Sequence, residues 1–159
     1  MSMTELTDQG DVVRAFLADL LDAFGLDGQV TATPVPDDGA VELAVAGGDL
    51  GLLIGPKGAT LQAIQELARS VLQRQAPGET HARVRVDVSG YRARRSEALA
   101  GFARTVAEDV RATGTQKALE PMSPADRKVV HDTIAEIEGV HTISEGEDAR
   151  RHVVILPDA

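Results

Sequence analysis

The chain has 159 residues, a formal net charge of −9, and a composition that is 43% hydrophobic but only 3% aromatic. This length suits one ordinary domain or two small ones, and the absence of Cys excludes disulfide bonds, thiolate metal ligands and cysteine nucleophiles. No apolar run approaches the roughly 20 residues of a transmembrane helix, and the polar N-terminus lacks a signal-peptide pattern. We therefore expect a cytoplasmic protein with no membrane insertion and no cofactor.

The charge is distributed unevenly along the chain. Residues 1–48 carry −8, residues 49–119 carry +4 and residues 120–159 carry −5. A net anion repels nucleic-acid phosphates, but charges farther apart than a Debye length of about 8 Å are largely screened at physiological salt. The basic middle of the chain is therefore the part in which anion binding is expected.

The first half of the chain is predicted to alternate helices and strands. The polar residues 1–10 are predicted to be disordered. From there the apolar spacing predicts a helix over 11–24, followed by strands over 29–35 and 40–46 with a turn between them. A short apolar turn over 49–54 comes next. It is followed by a helix over 59–75, which Pro77 and Gly78 end, and by a strand over 82–88. The apolar stripe predicted for the helix over 59–75 consists of Leu61, Ile64, Leu67, Ala68, Val71 and Leu72.

The second half begins with a long helix predicted over 91–113, which Gly114 closes at the expected domain boundary. Its predicted inner face consists of Ala98, Leu99, Phe102, Val106 and Val110. Then come a short extended piece over 116–120, a helix that starts at Ser123-Pro124 and runs to 138, and strands over 140–144 and 151–156. The expected division is a disordered N-terminus (1–10), a first domain (11–90), a connecting helix (91–114) and a second domain (115–159).

The segment Gly55-Pro56-Lys57-Gly58 is the most informative part of the sequence. Two glycines let the backbone approach another molecule closely, and the helix that follows directs its N-terminal N–H groups and positive dipole end to the same place. With Lys57, this turn is predicted to bind the phosphates of a nucleic-acid strand. A purely structural tight loop stays an alternative, whereas a nucleotide P-loop is excluded because Gly58 stands where Ser or Thr is required.

The glycine turn and its surroundings resemble a type II KH domain. Ile54-Gly55-Pro56-Lys57-Gly58 matches the I-G-x-x-G signature, and the order of the predicted elements agrees. The resemblance implies that the loop holds about four single-stranded nucleotides, whose bases lie in a groove beside the loop. The residues implied in RNA binding are Ile54, Gly55, Pro56, Lys57, Gly58 and Leu61, with Leu52, Ile64 and the strand over 82–88 as further groove walls. Pro56 departs from the usual basic or polar residue and lacks an N–H donor.

Arg127 and His131 form a second candidate site. They lie four residues apart on a predicted helix, so their side chains project from one face. If only the spacing is considered, the alternative to a binding site is a solvated helix face with an ordinary surface histidine. Arg127 to His131 also resembles the R-x-x-x-H signature of the R-3-H domain, a single-stranded nucleic-acid-binding fold, and the flanking segments 122–127 and 144–147 agree. This resemblance implies RNA contacts by Arg127, Lys128, His131, Arg150 and Arg151.

A KH domain followed by an R-3-H domain resembles the bacterial Jag family, also called KhpB or EloR, over residues 11–157. The resemblance implies an α+β protein: a type II KH domain, with a three-stranded sheet and helices on one face, followed by a small α/β R-3-H domain. It implies a non-enzymatic, single-stranded RNA-binding regulator linked to cell wall biogenesis and cell shape, with single-stranded DNA and a small single-KH protein as further candidate partners. Many members begin with an additional N-terminal domain, and we expect no such domain in this chain.

Other interpretations of the sequence stay open. The arginines of the long helix have two equally good explanations, a charged helix face paired with Glu97 and Glu108 or an RNA contact. These arginines are Arg92, Arg94, Arg95 and Arg104. The charge of −9 and the donor missing at Pro56 favour an alternative function, an adaptor that binds proteins through acidic surfaces and RNA only incidentally. A hydrolase ranks last, because no nucleophile lies beside a plausible base. The histidines His81, His141 and His152 show no metal-ligand spacing.

Overall fold

The structure of the chain is a computed structural model that describes residues 1–76, 78 and 80–159. By contacts the chain divides into two compact units, Met1–Arg92 and Ala93–Ala159. Its helices and strands are α1 (Met3–Ala23), β1 (Gln29–Val35), β2 (Ala40–Ala46), α2 (Ala59–Gln75), β3 (Arg83–Val88), α3 (Tyr91–Thr113), β4 (Lys117–Ala118), α4 (Pro124–Ala135), β5 (Val140–Glu145) and β6 (His152–Pro157). This order confirms the predicted α+β class. The helix end predicted at Pro77 lies outside the described residues.

The first unit is a three-stranded sheet with helices on one face, as expected. The strands lie in the order β1-β2-β3, with β1 antiparallel to β2 and β2 parallel to β3. Residues of β2 and β3 alternate between buried and exposed, so one face packs against α1 and α2 while the other is open. The core between the helices and the sheet is formed by apolar side chains of both, among them Leu6, Val13, Leu17, Val41, Ile64, Leu72 and Val86.

The N-terminus differs from the expectation of disorder over residues 1–10, because α1 begins at Met3. The Ser2 hydroxyl accepts a hydrogen bond from the Glu5 N–H at 3.2 Å, and the Glu5 carboxylate accepts one from the Ser2 N–H at 2.7 Å. This reciprocal pair is a capping box, which stabilises the first turn of a helix. Leu6 is fully buried in the core. The cap and one buried leucine thus extend α1 beyond the periodic apolar stretch.

A glutamine side chain, rather than a fourth strand, pairs with the chain just before β3. Gln9 of α1 is 7% exposed. Its amide accepts a hydrogen bond from the Ala82 N–H at 2.7 Å and donates one to the Thr80 carbonyl at 3.1 Å. Open strand edges carry unpaired backbone groups that need such partners. Gln9 therefore closes the N-terminal end of this edge.

The second unit is a smaller sheet with two helices. Its strands lie in the order β4-β6-β5, and both neighbouring pairs are antiparallel. The core combines residues of α3, α4 and the strands, namely Ala103, Ala107, Val110, Leu119, Val130, Ile134, Val140, Val153 and Ile155. This architecture confirms the small α/β unit that was expected after the first. Across the described residues, no helix has the length and hydropathy needed to cross a membrane.

The buried faces of two helices differ in part from the prediction. In α3, Phe102 is 53% exposed, whereas Ala103 and Ala107 occupy core positions. In α2, Leu67 is 53% exposed although its spacing predicts a place in the apolar stripe. Small alanines let a helix approach its neighbours closely, so the helix turns its larger side chain outward. From Ala93 onward, α3 belongs by contacts to the second unit, and the limits of the domains stay a prediction.

Candidate nucleic-acid interface

The glycine turn has the backbone conformation that its glycines allow. Gly55, Lys57 and Gly58 have φ angles of 72°, 54° and 78°. A side chain at Gly55 would place its Cβ 2.9 Å from the backbone nitrogen of Thr60, and one at Gly58 would lie 2.7 Å from Cε1 of Tyr91. Both positions therefore need glycine for backbone conformation and for space.

Several backbone donors of the turn are already used within it. The Gly58 N–H donates to the Gly55 carbonyl at 3.2 Å, and the Leu61 N–H donates to the Ile54 carbonyl at 3.0 Å. The Ala59 N–H donates to the Pro56 carbonyl. The expectation that the backbone N–H groups at this helix start are available to a ligand is therefore wrong for these three donors. Any anion held here depends more on the Lys57 side chain, the dipole of α2 and the close approach that glycine permits.

The predicted loop residues differ in exposure. Pro56 and Lys57 are exposed, while Ile54, Gly55 and Gly58 are half-buried. Leu61 is only 2% exposed and lies in the core, so its side chain is not accessible to a ligand. Among the groove walls, Ile64 is buried at 5% whereas Leu52 is 61% exposed. Of the predicted apolar wall, Leu52 is therefore accessible, whereas the side chains of Leu61 and Ile64 lie in the core.

Two residues that the motifs did not single out line the outer edge of β3. The Val86 N–H donates to Oε1 of Gln65 at 2.7 Å, and Nε2 of Gln65 donates to the Val84 carbonyl. Nε of Arg92 donates to the Val86 carbonyl at 2.9 Å, and its Nη2 donates to Oε1 of Gln65 at 3.4 Å. We call Gln65, Arg92 and this part of β3 the edge cluster. No spacing rule marks Gln65, since it lies on the outer face of a predicted helix.

The arginines of β3 lie on the open face of the sheet and not in the groove. Arg85 forms ion pairs with Asp38 at 3.0 Å and with Glu42 at 3.2 Å. The hydrogen bond with Asp38, followed by that with Glu42, raises the pKa of the Arg85 guanidinium above its ordinary value. The Arg83 guanidinium donates to the Asp38 carbonyl on the same face. Neither residue contributes positive charge to the loop.

In the second unit, α4 begins with a side-chain cap. The Ser123 hydroxyl accepts a hydrogen bond from the Asp126 N–H at 3.2 Å. Nη1 of Arg127 donates to the Met122 carbonyl at 2.8 Å, and the Met122 N–H donates to the Arg151 carbonyl at 3.3 Å. Met122 thus brings the predicted residues Arg127 and Arg151 close together. Arg127 is half-buried and has a structural partner of its own.

His131 is held at both ring nitrogens. Its Nδ1 lies 2.6 Å from the Thr142 hydroxyl and its Nε2 lies 2.8 Å from the Ser144 hydroxyl, both on β5. A neutral imidazole has one donor and one acceptor nitrogen, so one hydroxyl accepts while the other donates. The ring therefore joins α4 to β5. A ligand could bond to either nitrogen only by displacing a hydroxyl.

The remaining predicted cations of the second unit are more accessible. Lys128 is exposed and pairs with Asp132 one turn later. Arg150 is exposed at the end of a single helical turn, Asp148–Arg150, between β5 and β6. Nη1 of Arg151 donates to the Gly146 carbonyl at 2.9 Å. Lys128 and Arg150 are therefore better placed than His131 to meet a ligand.

The α3 arginines divide into different roles. Arg95 forms an ion pair with Asp126 of α4 at 3.1 Å, with side-chain exposures of 26% and 16%. It therefore links two helices of the second unit, in agreement with the structural interpretation. Arg92 belongs to the edge cluster, and Arg104 is exposed. Where the structure describes the chain, no group of three or more His, Asp and Glu residues is arranged to hold a metal ion.

Known families match both halves of the sequence. The family described as the KH domain of KhpA and KhpB matches residues 10–88. The R-3-H domain family matches residues 97–157. Each match covers one of the two segments that carry a signature, in the same order.

Individual proteins are similar over most of the chain. RNA-binding protein KhpB of Clostridium symbiosum is 32% identical over 145 residues, covering 91% of this chain and 64% of that protein. The protein of the same name from Bacillus subtilis (strain 168) is 32% identical over 157 residues, covering 98% and 74%. The one from Lactiplantibacillus plantarum is 42% identical over 105 residues, covering 66% and 32%. This chain thus spans less than two thirds of the Clostridium and Lactiplantibacillus relatives.

Proposed function

The chain belongs to the KhpB family of proteins with a KH domain followed by an R-3-H domain, and we propose that it binds single-stranded RNA without catalysing a reaction. The relatives are named as RNA-binding proteins, which supports the proposal for this chain. The chain spans only part of several relatives, so any activity or partner that belongs to those whole proteins is only a proposal for this chain.

The observation that carries the proposal is the shape of the Gly55–Gly58 turn. Lys57 is exposed on a turn with a left-handed backbone. Gly55 and Gly58 in the same turn have no side chains that would keep a ligand away from the backbone. Helix α2 has Gly58 at its N-cap position, so no serine or aspartate side chain occupies its positive end. A phosphate can approach such a helix start closely and meet the lysine there.

The second unit supplies a weaker additional contact in this proposal. Lys128 and Arg150 offer exposed charge, Arg127 and Arg151 are held by bonds to backbone carbonyls, and His131 joins α4 to β5. Two weak sites on one chain raise the overall affinity through effective concentration, provided that one strand reaches both. Few aromatic side chains are available for stacking, so we expect modest sequence preference overall.

Fluorescence anisotropy of a mixed-sequence single-stranded RNA, titrated over a salt series, tests the proposal. We expect log affinity to fall with log salt by roughly 0.7 for each phosphate that the protein neutralises. Lys57→Asp should weaken binding and flatten the slope, whereas Arg14→Asp makes the same change in net charge on α1 and should leave binding unchanged. Absence of wild-type binding at low salt would refute the proposal.

The narrower parts of the proposal have their own tests. We propose that RNA is preferred to DNA of the same sequence, since only RNA offers the 2′-hydroxyl. We also propose a post-transcriptional role linked to the cell envelope and cell shape, with a small single-KH protein as partner, which the family resemblance suggests. The adaptor function is the alternative, and it predicts protein capture that is insensitive to Lys57→Asp.

A further inference from the structure

The edge cluster has chemistry that the phosphate contacts do not use. Oε1 of Gln65 accepts two hydrogen bonds, from the Val86 N–H and from Nη2 of Arg92. The carbonyls of Val84 and Val86 each accept one, from Gln65 and Arg92. Each of these oxygens thus already accepts at least one hydrogen bond, while the Gln65 amide and the Arg92 guanidinium each have more N–H groups than these bonds use. The cluster therefore presents more donors than acceptors.

The cluster holds its arginine in a fixed orientation. Nε and Nη2 of Arg92 are both bonded within the cluster, which positions the planar guanidinium against α2 and β3. Arg92 is nevertheless exposed, and among the described residues no carboxylate lies within ion-pair distance of it. A guanidinium that is anchored on one side and open on the other loses less rotamer entropy when it binds a ligand.

The cluster lies along the path of a strand that is held at the glycine turn. Tyr91, next to Arg92 in sequence, has its ring beside Gly58. Gln65 follows Gly58 by seven positions along α2, which corresponds to about 10 Å along a helix axis. A KH loop holds about four nucleotides, enough to reach from the turn to the cluster.

A base edge fits this position better than another phosphate does. Oδ1 of Asp87 accepts hydrogen bonds from the Val88 N–H at 3.0 Å and the Arg92 N–H at 3.2 Å, so a carboxylate lies at the base of Arg92. That negative charge opposes a phosphate more than an uncharged acceptor. Among bases, guanine offers adjacent acceptors at O6 and N7, which arginine binds bidentately, whereas adenine places an amino donor beside N7.

We propose that Arg92, positioned by Gln65 and the Val86 carbonyl, recognises a base with two adjacent acceptors, and so favours guanine over adenine in the bound strand. The proposal rests on the RNA binding proposed above and adds a specificity that neither signature contains. Neither Gln65 nor Arg92 belongs to the glycine turn or to the R-x-x-x-H motif. The groove thus selects by donors on side chains, because the backbone edge of β3 is already paired.

The test compares two single-stranded RNAs of equal length, one all adenosine and one alternating guanosine with adenosine, by fluorescence anisotropy. We expect wild type to bind the guanosine-containing strand at least about fivefold more tightly, the lower end of what one bidentate contact provides. Arg92→Lys keeps the charge but loses the fork, so it should remove most of that preference and leave affinity for the adenosine strand nearly unchanged. Arg92→Gln should remove the preference and weaken both strands.

Control variants separate the possible outcomes. Arg83→Gln removes one charge from the open face of the same strand and should keep the preference. Gln65→Leu should reduce the preference while the charge stays, and thermal unfolding of each variant checks that it folds. Equal wild-type affinity for both strands, or a preference that survives Arg92→Gln, would overturn the inference but not the RNA binding. If wild type binds neither strand at low salt, the inference and the proposed function fail together.

Discussion

The two motif helices begin in opposite ways. Helix α2 follows Gly58, with no side-chain cap and an exposed Lys57 before it. Helix α4 follows Ser123, whose hydroxyl caps the Asp126 N–H, and both of its signature residues have partners within their own unit. The first motif therefore has no side chain over its helix start, although the Ala59 and Leu61 N–H groups are bonded within the turn, whereas the residues of the second motif join elements of their own unit.

A signature residue is therefore not always a contact residue. His131 defines the second motif, yet both of its ring nitrogens are bonded to hydroxyls of β5. Lys128 and Arg150 lie outside the two defining positions of the motif and are exposed. Our proposal therefore assigns the RNA contacts of this unit to Lys128 and Arg150 and a structural role to His131.

Gly58→Ala should have the strongest effect of the changes that test this comparison. An alanine there must adopt a left-handed backbone and displace the Tyr91 ring, which together cost about 2–4 kcal/mol. We expect a lower melting temperature and at least tenfold weaker RNA binding, roughly 1.4 kcal/mol of affinity. Gly51→Ala is the matched control, because its Cβ would have no neighbour within 4 Å. Equal behaviour of both variants would show that the turn is not constrained as described.

His131→Ala tests whether the second signature is mainly structural. Loss of the bonds to Thr142 and Ser144 should lower the free energy of unfolding by about 1–2 kcal/mol. Lys128→Ala breaks only an exposed ion pair, so its stability should change by less than about 0.5 kcal/mol while its RNA affinity falls. Chemical denaturation and anisotropy measure the two effects. The comparison fails if His131→Ala weakens RNA binding without affecting stability.

Ser123→Ala tests the cap that distinguishes α4 from α2. Removing a serine cap typically costs about 1 kcal/mol of stability. We expect that loss in denaturant unfolding, with the salt dependence of RNA binding unchanged, because Ser123 is bonded to its own helix. A steeper or flatter salt slope in this variant would indicate that the α4 start also binds the strand.

The weakest effect that we predict is a pH dependence at the start of α1. The hydrogen bond from the Ser2 backbone N–H, helped by the Ser2 hydroxyl, lowers the pKa of the fully exposed Glu5 carboxyl below its ordinary value. Because the pKa is lower in the folded state, the ionised Glu5 carboxylate stabilises the fold. This stabilisation is fully present above the ordinary pKa of glutamate and is lost as pH falls through the lowered value. NMR titration should show the first turn fraying in acid, and Glu5→Gln should abolish that transition. A Glu5 titration at or above its ordinary pKa would contradict the capping box.

Much of the fold is predictable because its signals are local. The period of apolar residues marks helices and strands, and the glycines that need positive φ mark turns, so these patterns predict α2, α3 and the hairpin nearly to the residue. The same rules say less about which side of a helix is buried. Phe102 and Leu67 fit the apolar stripes of their helices but are exposed, because close packing at neighbouring alanines sets the rotation of each helix.

The order of elements, the two signatures and the glycine turn that contains Lys57 follow from the amino-acid sequence alone, since each depends on a few consecutive residues. Which polar groups are already paired follows only from the folded arrangement. Gln65 meets Val86 across 21 positions, Arg92 meets Gln65 across 27, and His131 meets Ser144 across 13. Hydrogen bonds of this range depend on how helices pack on sheets. The same packing holds the exposed Arg92 at the edge of β3 and pairs both ring nitrogens of His131.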